Sequence, residues 1–417
     1  MKITTKILML LFVLMASTQV QAASIKSGKN IVDGINYQLN AKKQTATVIK
    51  NVEPYVGDIV IPEKITVDSL TFYVEEIASG AFAESTGMTS IQIAKTVCKI
   101  GSDAFKNCTS LTEITIPEKI SELPSGLFDG CTSLTSVTIP DRVSSMGSGI
   151  FHNCKSLEHI DLPQRLKKIP DDTFEGCSSL LSLNIPDGVT ELGDMLFKDC
   201  MSLKEIEIPL GVSKLGHSLF LGCVTLENVS LPVGLTKIER STFENCSNLE
   251  TVVIPNSVQR IEDDAFKNCS NLDSVYLPNS LKMIGEAIFE DCSSLVKTNI
   301  PSAMVKIPSE MFKNCTSLEA IEIPASIKKI GSNAFRGCSN LKEIELPTGL
   351  KEIGGNAFAD CVNLKKVKSN GASPAKMSSS SFDKSTTLEG TLIVRKQSVK
   401  NYELDKQWCK FLNVSVF

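Results

Sequence analysis

The sequence predicts a solenoid. Stacked parallel β-strands are joined by short helical turns and β return segments, with a β-hairpin cap at the amino end and an α/β cap at the carboxyl end. Three observations carry this. A unit close to A-F-x-[NGD]-C-x-[SN]-L-x-x-I-x-I-P-x-x-L-x-x-I-G recurs about thirteen times with a period of 23 residues. Twelve cysteines mark it without one insertion or deletion: Cys108, Cys131, Cys154, Cys177, Cys200, Cys223, Cys246, Cys269, Cys292, Cys315, Cys338 and Cys361. Both ends drift from the unit, as terminal coils must when one face meets solvent. A fixed period of this length means that each unit buries its apolar face only against its neighbours.

Residues 1–22 read as a signal peptide. Lys2 and Lys6 give the positive start, Ile7 to Met15 the apolar run, and Val20-Gln21-Ala22 the small-residue cleavage site. The run is too short to span a bilayer. No cysteine follows the site, so no lipid-modified terminus is expected. The protein is read as exported, with cell surface, secreted fraction and periplasm all open. Loss of the segment removes two lysines and no acid, leaving 41 basic against 47 acidic residues and a net charge of −6. No basic stripe suited to nucleic acid or a membrane surface appears.

Residues 23–58 are expected to be the amino-terminal cap, with Ile31 to Leu39 and Thr45 to Ile49 as the two strands of a hairpin. The solenoid is expected over 59–368. Its first strand is Ile59 to Pro62, and nine more residues than usual separate Pro62 from Phe82. They form a hairpin-like insertion holding Leu70, Phe72, Tyr73 and Val74. Ser85 and Ala94 replace the usual Cys and Pro there.

One repeat, Ser102 to Pro124, shows the logic. Asp103 to Asn107 reads as one helical turn capped by Ser102 or Asp103. The residue two after each Phe is Asn, Gly or Asp in all twelve cysteine repeats, the types that tolerate a left-handed backbone. Cys108 then points inward and Leu111 opens the next side. Leu111 to Ile116 alternates as a strand, and Pro117 closes it where a missing N–H does least harm. Ile120 and Leu123 line the return segment.

These features resemble the BspA-like, or treponemal-type, family of bacterial leucine-rich repeats. The strand Leu111 to Pro117, the return Ile327 to Gly331 and the corner Ala334 to Cys338 carry the resemblance, which covers about Ile59 to Val394. It implies a leucine-rich-repeat solenoid and relatives engaged in adhesion and host-protein binding. It does not imply a particular site, because a scaffold is shared and not a chemistry.

Residues 369–417 are expected to hold a degraded repeat (Phe382, Leu388, Ile393) and the carboxyl-terminal cap. Within the cap, Ser398 to Tyr402 reads as a capped helix, followed by Trp408, Phe411 and Val414, with Trp408 covering the last coil.

The fourteen cysteines of an exported chain invite a disulfide reading. Adjacent coils would bring ladder cysteines to about 5 Å between Cα atoms, within bonding range. Free thiols are favoured instead, since the side chains would run parallel in a row and buried Cys serves as a small hydrophobe and weak donor. Ladder disulfides are the alternative. Cys98 and Cys409 lie off the ladder.

Chemistry is sparse. The three histidines are His152, His159 and His217, with no C-x-x-C, no H-E-x-x-H, no G-x-S-x-G and no phosphate loop. No catalytic, metal or cofactor site is expected, and no enzyme. The pairs Asp171-Asp172 and Asp263-Asp264 are read as solvated helix N-termini. Binding is therefore expected on the outward residues of the strand face. Val253 and Tyr276 are its apolar bump, with Thr298 replacing an inward aliphatic beside them. Lys297, His159, Asp161, Glu205 and Glu207 are further candidates. The expected partners are proteins, host surface or matrix proteins among them, with no nucleic acid and no membrane span. A glycan-associated or scaffold role is the alternative. The face has too few aromatics for sugar stacking and few anchors for a protein hot spot.

Overall fold

The computed structural model describes residues 30–417, so the expected signal peptide lies outside the described residues. They fall into two compact units, one ending at Leu166 and one running from Lys167 to Phe417, and each is taken by itself.

In the first unit, β1 (Asn30–Val32), β2 (Ile35–Asn40) and β3 (Thr45–Val48) form an antiparallel meander. The stretch expected as one strand, Ile31 to Leu39, folds back at Asp33 and Gly34, whose φ values are 49° and 79°. An Asp-Gly pair in that conformation makes the tight turn whose twist suits a hairpin. β4 (Val56–Ile61) pairs in parallel with a later strand, Gly87–Ile93, and so opens the strand side. β5 (Lys64–Val67) and β6 (Leu70–Ile77) are the inserted hairpin, and β3 lies parallel to β6.

Tyr55 closes the first coil. Its ring centroid lies 4.8 Å from that of Phe82, and its N–H donates to Ser85 Oγ at 3.1 Å. That bond explains the Ser: an oxygen acceptor is wanted where the cap meets the ladder position. Farther on, Phe105 stacks between Phe82 and Phe128 at 5.4 and 5.6 Å.

The return segments pair two residues at a time. Lys99–Ile100 pairs with β6, and Glu122–Leu123 pairs with Ser145–Met146, but the two sets do not join. Gly101 N–H donates to Ile77 O and Gly147 N–H to Leu123 O, each at 2.8 Å. Between them stands Pro124, which has no N–H to offer Ile100.

The corner differs from expectation. No helix forms at Asp103 to Asn107. Instead the N–H groups of Asp103, Phe105 and Asn107 donate to Ser125, Leu127 and Asp129 of the next coil at 3.1, 3.0 and 2.7 Å. Two left-handed residues bend the chain, one two before the Phe and one two after it. In the second unit the later position holds Gly176, Asp199, Gly222, Asn245, Asn268, Asp291, Asn314, Gly337 and Asp360, all at positive φ as expected. The earlier position carries no such mark in the sequence. It holds Asp172, Met195, Ser218, Ser241, Asp264, Ala287, Glu310, Asn333 and Asn356, also at positive φ. Hence the Asp pairs are not helix N-termini. Asp171 and Asp263 use Oδ1 to accept the next coil's amide, from Asp194 at 3.0 Å and Glu286 at 2.8 Å.

Glycine on the return side has a steric reason. A Cβ on Gly193 would lie 2.3 Å from Asp171 N, and one on Gly285 2.4 Å from Asp263 N. Along the buried side of this unit the rings from Phe174 to Phe382 stack with centroids 4.9 to 5.9 Å apart.

The carboxyl end contains α1 (Lys384–Glu389), α2 (Val399–Glu403) and a final strand, Asn413–Val416, parallel to Thr391–Val394. Trp408 is 1% exposed, donates Nε1–H to Ala375 O at 2.7 Å and packs against Phe382 and Phe411. It covers the last Phe-bearing corner, as expected. Three details differ. Ser398 precedes α2 but makes no capping bond with its side chain. Leu388 is half exposed, and the buried strand residues are Leu392 and Val394, not Ile393. Phe382 follows Phe358 by 24 residues whereas Leu392 follows its strand partner Val367 by 25, and this one-residue slip between corner and strand exchanges inward and outward residues. Val414 shares Leu392's register yet is 40% exposed, because no described strand covers it.

Candidate functional site

Every candidate residue is exposed on the side the alternation assigns it. In the first unit His159 and Asp161 flank buried Ile160, although no described strand includes them. In the second unit, Glu205–Glu207 pairs in parallel with Asn228–Ser230, which pairs with Thr251–Val252. Isolated bridges continue the series from Thr251 to Ser274 to Lys297. Val253 and Tyr276 therefore occupy matching places on adjacent coils, 81% and 62% exposed. Lys297 lies on the coil beyond, and the Glu205 and Glu207 pair two coils before Val253.

The backbone ladder loosens next to this bump. Leu277 N–H donates to Asn299 Oδ1 at 2.8 Å, and Asn299 Nδ2 donates to Leu277 O at 3.0 Å. A side-chain amide thus stands where a backbone rung runs in other coils. Thr298 Oγ1 is buried and has no partner, the cost of a hydroxyl at an inward aliphatic place. Ala320 to Glu322 belong to no strand.

These departures open a groove of 680 Å³ on the outward face, lined by Thr298, Ala320, Glu322, Glu343, Lys366 and Lys368 among others. Across it Glu322 and the pair Glu343 and Glu345, on adjacent coils, are followed by the basic coil of Lys366 and Lys368. Lys368 pairs with Glu345 at 2.9 Å and Lys366 with Glu343 at 3.8 Å. Hydrogen bonds from Asn370 and from Lys368 hold the Glu345 carboxyl below the usual carboxylate range. Lys368 also sits 4.9 Å from the Phe417 ring centroid. A shallower depression of 480 Å³ lies over Glu205 and Glu207, walled by small polar residues such as Ser182, Asn184 and Ser230. Alternation marks the groove residues as outward but not as a site. The signal for a site is Ala320, the smallest side chain on the face, beside coils of two acids and two lysines.

The ladder cysteines are buried thiols in no disulfide, and Cys98 and Cys409 are exposed thiols. Burial pushes the Cys361 thiol up to about 12. His152 Nδ1 lies 2.8 Å from Asp129 and His217 Nε2 3.2 Å from Asp194, each a side-by-side pair on neighbouring coils. Among the described residues no group of three or more His, Cys, Asp or Glu side chains is placed to hold a metal. No described helix is long and apolar enough to cross a membrane. Ser218 Oγ lies 3.3 Å from His217 Nδ1 on an exposed bend rather than in either groove, and the strand face can present charge and shape to another macromolecule.

Comparison with known proteins follows the same lines. A sequence profile described as "BspA type Leucine rich repeat region (6 copies)" matches residues 75–204, 190–319 and 305–405. A leucine-rich repeat protein from Bacteroides ovatus is similar at 26% identity and a TM-score of 0.81, covering 93% of this chain and 99% of its own. A leucine rich cell surface protein from Faecalibacterium prausnitzii shares 29% identity over 82% of this chain and 95% of its own, with a TM-score of 0.60. The pneumococcal vaccine antigen PcpA shares the fold, at 19% identity and a TM-score of 0.50 over 94% of this chain and 98% of its own. No curated protein matches.

Proposed function

The chain belongs to the BspA-type leucine-rich repeat family, and on that premise we propose that it is an exported, non-catalytic recognition protein that binds partner proteins through the outward residues of its strand face. The observation that carries the reading is the contrast between frame and face. Inward and corner positions repeat because the frame needs them. The outward positions of successive coils change from Glu205 and Glu207 to Val253 and Tyr276, then to Glu343 and Glu345, then to Lys366 and Lys368. A surface free to vary on a fixed frame is how solenoids build extended recognition faces. Mixed charge sets partner choice and on-rate more than affinity.

The similar F. prausnitzii chain is a cell surface protein, which supports display outside the cell. Adhesion to host surface or matrix proteins is the finer form of the proposal. Protease treatment of intact cells tests it. Loss of the protein before the envelope is opened is the expected result. Full protection until the outer membrane is permeabilised would rule out direct contact with host proteins.

A further inference from the structure

The strand face is not the only surface where the repeat is broken. On the return side, the first residue of each two-residue strand points outward. In the second unit this series reads Lys168, Glu191, Lys214 (an isolated bridge to Glu191), Lys237, Arg260, Met283, Lys306, Lys329 and Glu352. One member, Met283, is uncharged. The residue before it in each coil is polar or basic from Lys167 to Lys351, except Val305. Met283 and Val305 fall on adjacent coils and are 55% and 60% exposed. Packing does not require them, because the same places carry lysine or arginine in neighbouring coils.

The same two coils open inward. Ile284 and Met304 are only half buried, whereas their counterparts Ile261 and Val258 are 1% and 0% exposed. The return sheet is interrupted between Met283–Ile284 and Lys306–Ile307. Pro308 occupies the place from which Gly285 donates to Ile261 O and Gly331 to Ile307 O, each at 2.9 Å. Ile284 O is left without that rung. The result is a groove of 580 Å³ floored by Ile284, Met304 and Ala303 and walled by Met283 and Val305.

Its rim carries four bases, Arg240, Arg260, Lys282 and Lys306, against three acids, Glu262, Asp263 and Glu286. Nearby carboxylates are already engaged: Glu262 by Arg260 and Lys237 at 3.0 and 2.8 Å, Glu286 by Lys306 at 3.6 Å, and Asp264 by Arg240 at 3.6 Å. Asp263 accepts the Glu286 amide. Lys282, exposed beside Met283, has no acidic partner among the described residues. We propose that this return-side groove is a second docking site, distinct from the strand face, for an acidic protein segment carrying an apolar side chain. The apolar anchor lies between Met283, Met304 and Val305, where the flexible thioethers adapt to different shapes. A carboxylate beside that anchor meets Lys282, and one of the segment's backbone N–H groups donates to Ile284 O. A concave site with a free carbonyl suits a polypeptide better than a flat lipid surface.

The probe is the synthetic peptide acetyl-Glu-Asp-Leu-Phe-Glu-Asp-amide, titrated into the purified protein carrying carbon-13 at the methionine methyls. The expected result is saturable binding below millimolar that weakens with salt, with the Met283 and Met304 methyl signals shifting. Met283→Lys and Val305→Lys restore residues normal for neighbouring coils, so the fold is kept and the thermal midpoint is unchanged. Both are expected to weaken binding at least tenfold although each adds a positive charge. Lys282→Glu is expected to weaken it also, and a peptide with Ser in place of Leu and Phe is expected not to bind. Absence of saturation at millimolar peptide overturns the proposal, as does equal or tighter binding by the two lysine variants. Vesicles of phosphatidylserine and phosphatidylcholine that co-sediment with the protein, and lose it on Met283→Lys, would reassign the groove to a membrane surface. None of these outcomes touches the strand-face reading, which is tested on other residues.

Discussion

Cys361 Sγ donates to the backbone carbonyl of Phe335 in the preceding coil at 3.0 Å. The same bond, over the same interval of 26 residues, joins Cys338 to Phe312, Cys315 to Phe289 and Cys292 to Phe266 at 3.1 Å. Each thiol thereby gives a second donor to a carbonyl that already accepts the cysteine N–H of its own coil, as Phe335 O does from Cys338 at 3.1 Å, and it fills a narrow place beside the stacked rings. A carbonyl oxygen has two lone pairs, and the thiol occupies the second. Sulfur does this with less cost than oxygen in an apolar setting.

Thiol chemistry should follow exposure. In the native protein, Cys98 and Cys409 are expected to react with a disulfide reagent and the buried ladder to stay silent. All fourteen should react after denaturation without reductant. Near-zero reactive thiol in the denatured protein would instead show ladder disulfides.

The same burial gives a pH dependence. The Cys361 thiol is raised from 9.0 to about 12, with desolvation the main cause. The unfolded chain releases its proton first, so the folded state holds more protons between these values. Stability is then complete below pH 9 and falls as pH rises toward 12. Urea midpoints across that range check the sign, and Cys361→Ala should flatten the slope.

Gly193→Ala would place a methyl 2.3 Å from Asp171 N. Neighbouring coils must part to admit it, and overpacking of this kind costs about 1–3 kcal/mol. Met195 sits at a φ of 52°, where a long side chain is strained. Met195→Asn should stabilise by about 0.5–1 kcal/mol, since Asn tolerates the left-handed region. Denaturant melts of the two variants should move in opposite directions.

Trp408→Ala removes the lid over Phe382. A loss of about 3–5 kcal/mol is expected for a buried Trp. The uncovered coil should also self-associate, as uncapped repeats do. Light scattering at several concentrations would show it, and a variant that stays monomeric would mean that Phe411 and Tyr402 close the end without it.

Much of this architecture is legible in the sequence because the frame repeats. The period marks the coils, and Asn, Gly or Asp after each Phe marks one bend. The second bend is hidden, because residues as different as Met195, Ala287 and Asp172 take the same left-handed conformation. There the next coil's hydrogen bonds override local preference, so no residue type marks the place. The expected helical turn fails for the same reason: its N–H groups are drawn to the neighbouring coil. The candidate surfaces are legible only in part. Val253 and Tyr276 stand out by type, whereas the groove beside Glu343 and the one beside Met283 arise from broken ladders at Asn299 and Pro308. Sequence shows such breaks as single substitutions and not as openings.

The central claim is that the strand face of the repeat frame binds a partner protein. It is tested most directly by measuring binding of the purified protein to a panel of immobilised host surface and matrix proteins, with Tyr276→Lys, Glu205→Lys with Glu207→Lys, and Glu343→Lys with Glu345→Lys alongside. All are exposed, so thermal midpoints should hold. Saturable binding to at least one panel protein, weakened tenfold or more by at least one of these variants, is the predicted result. Binding that every variant leaves unchanged, or none to any protein on the panel, would contradict it.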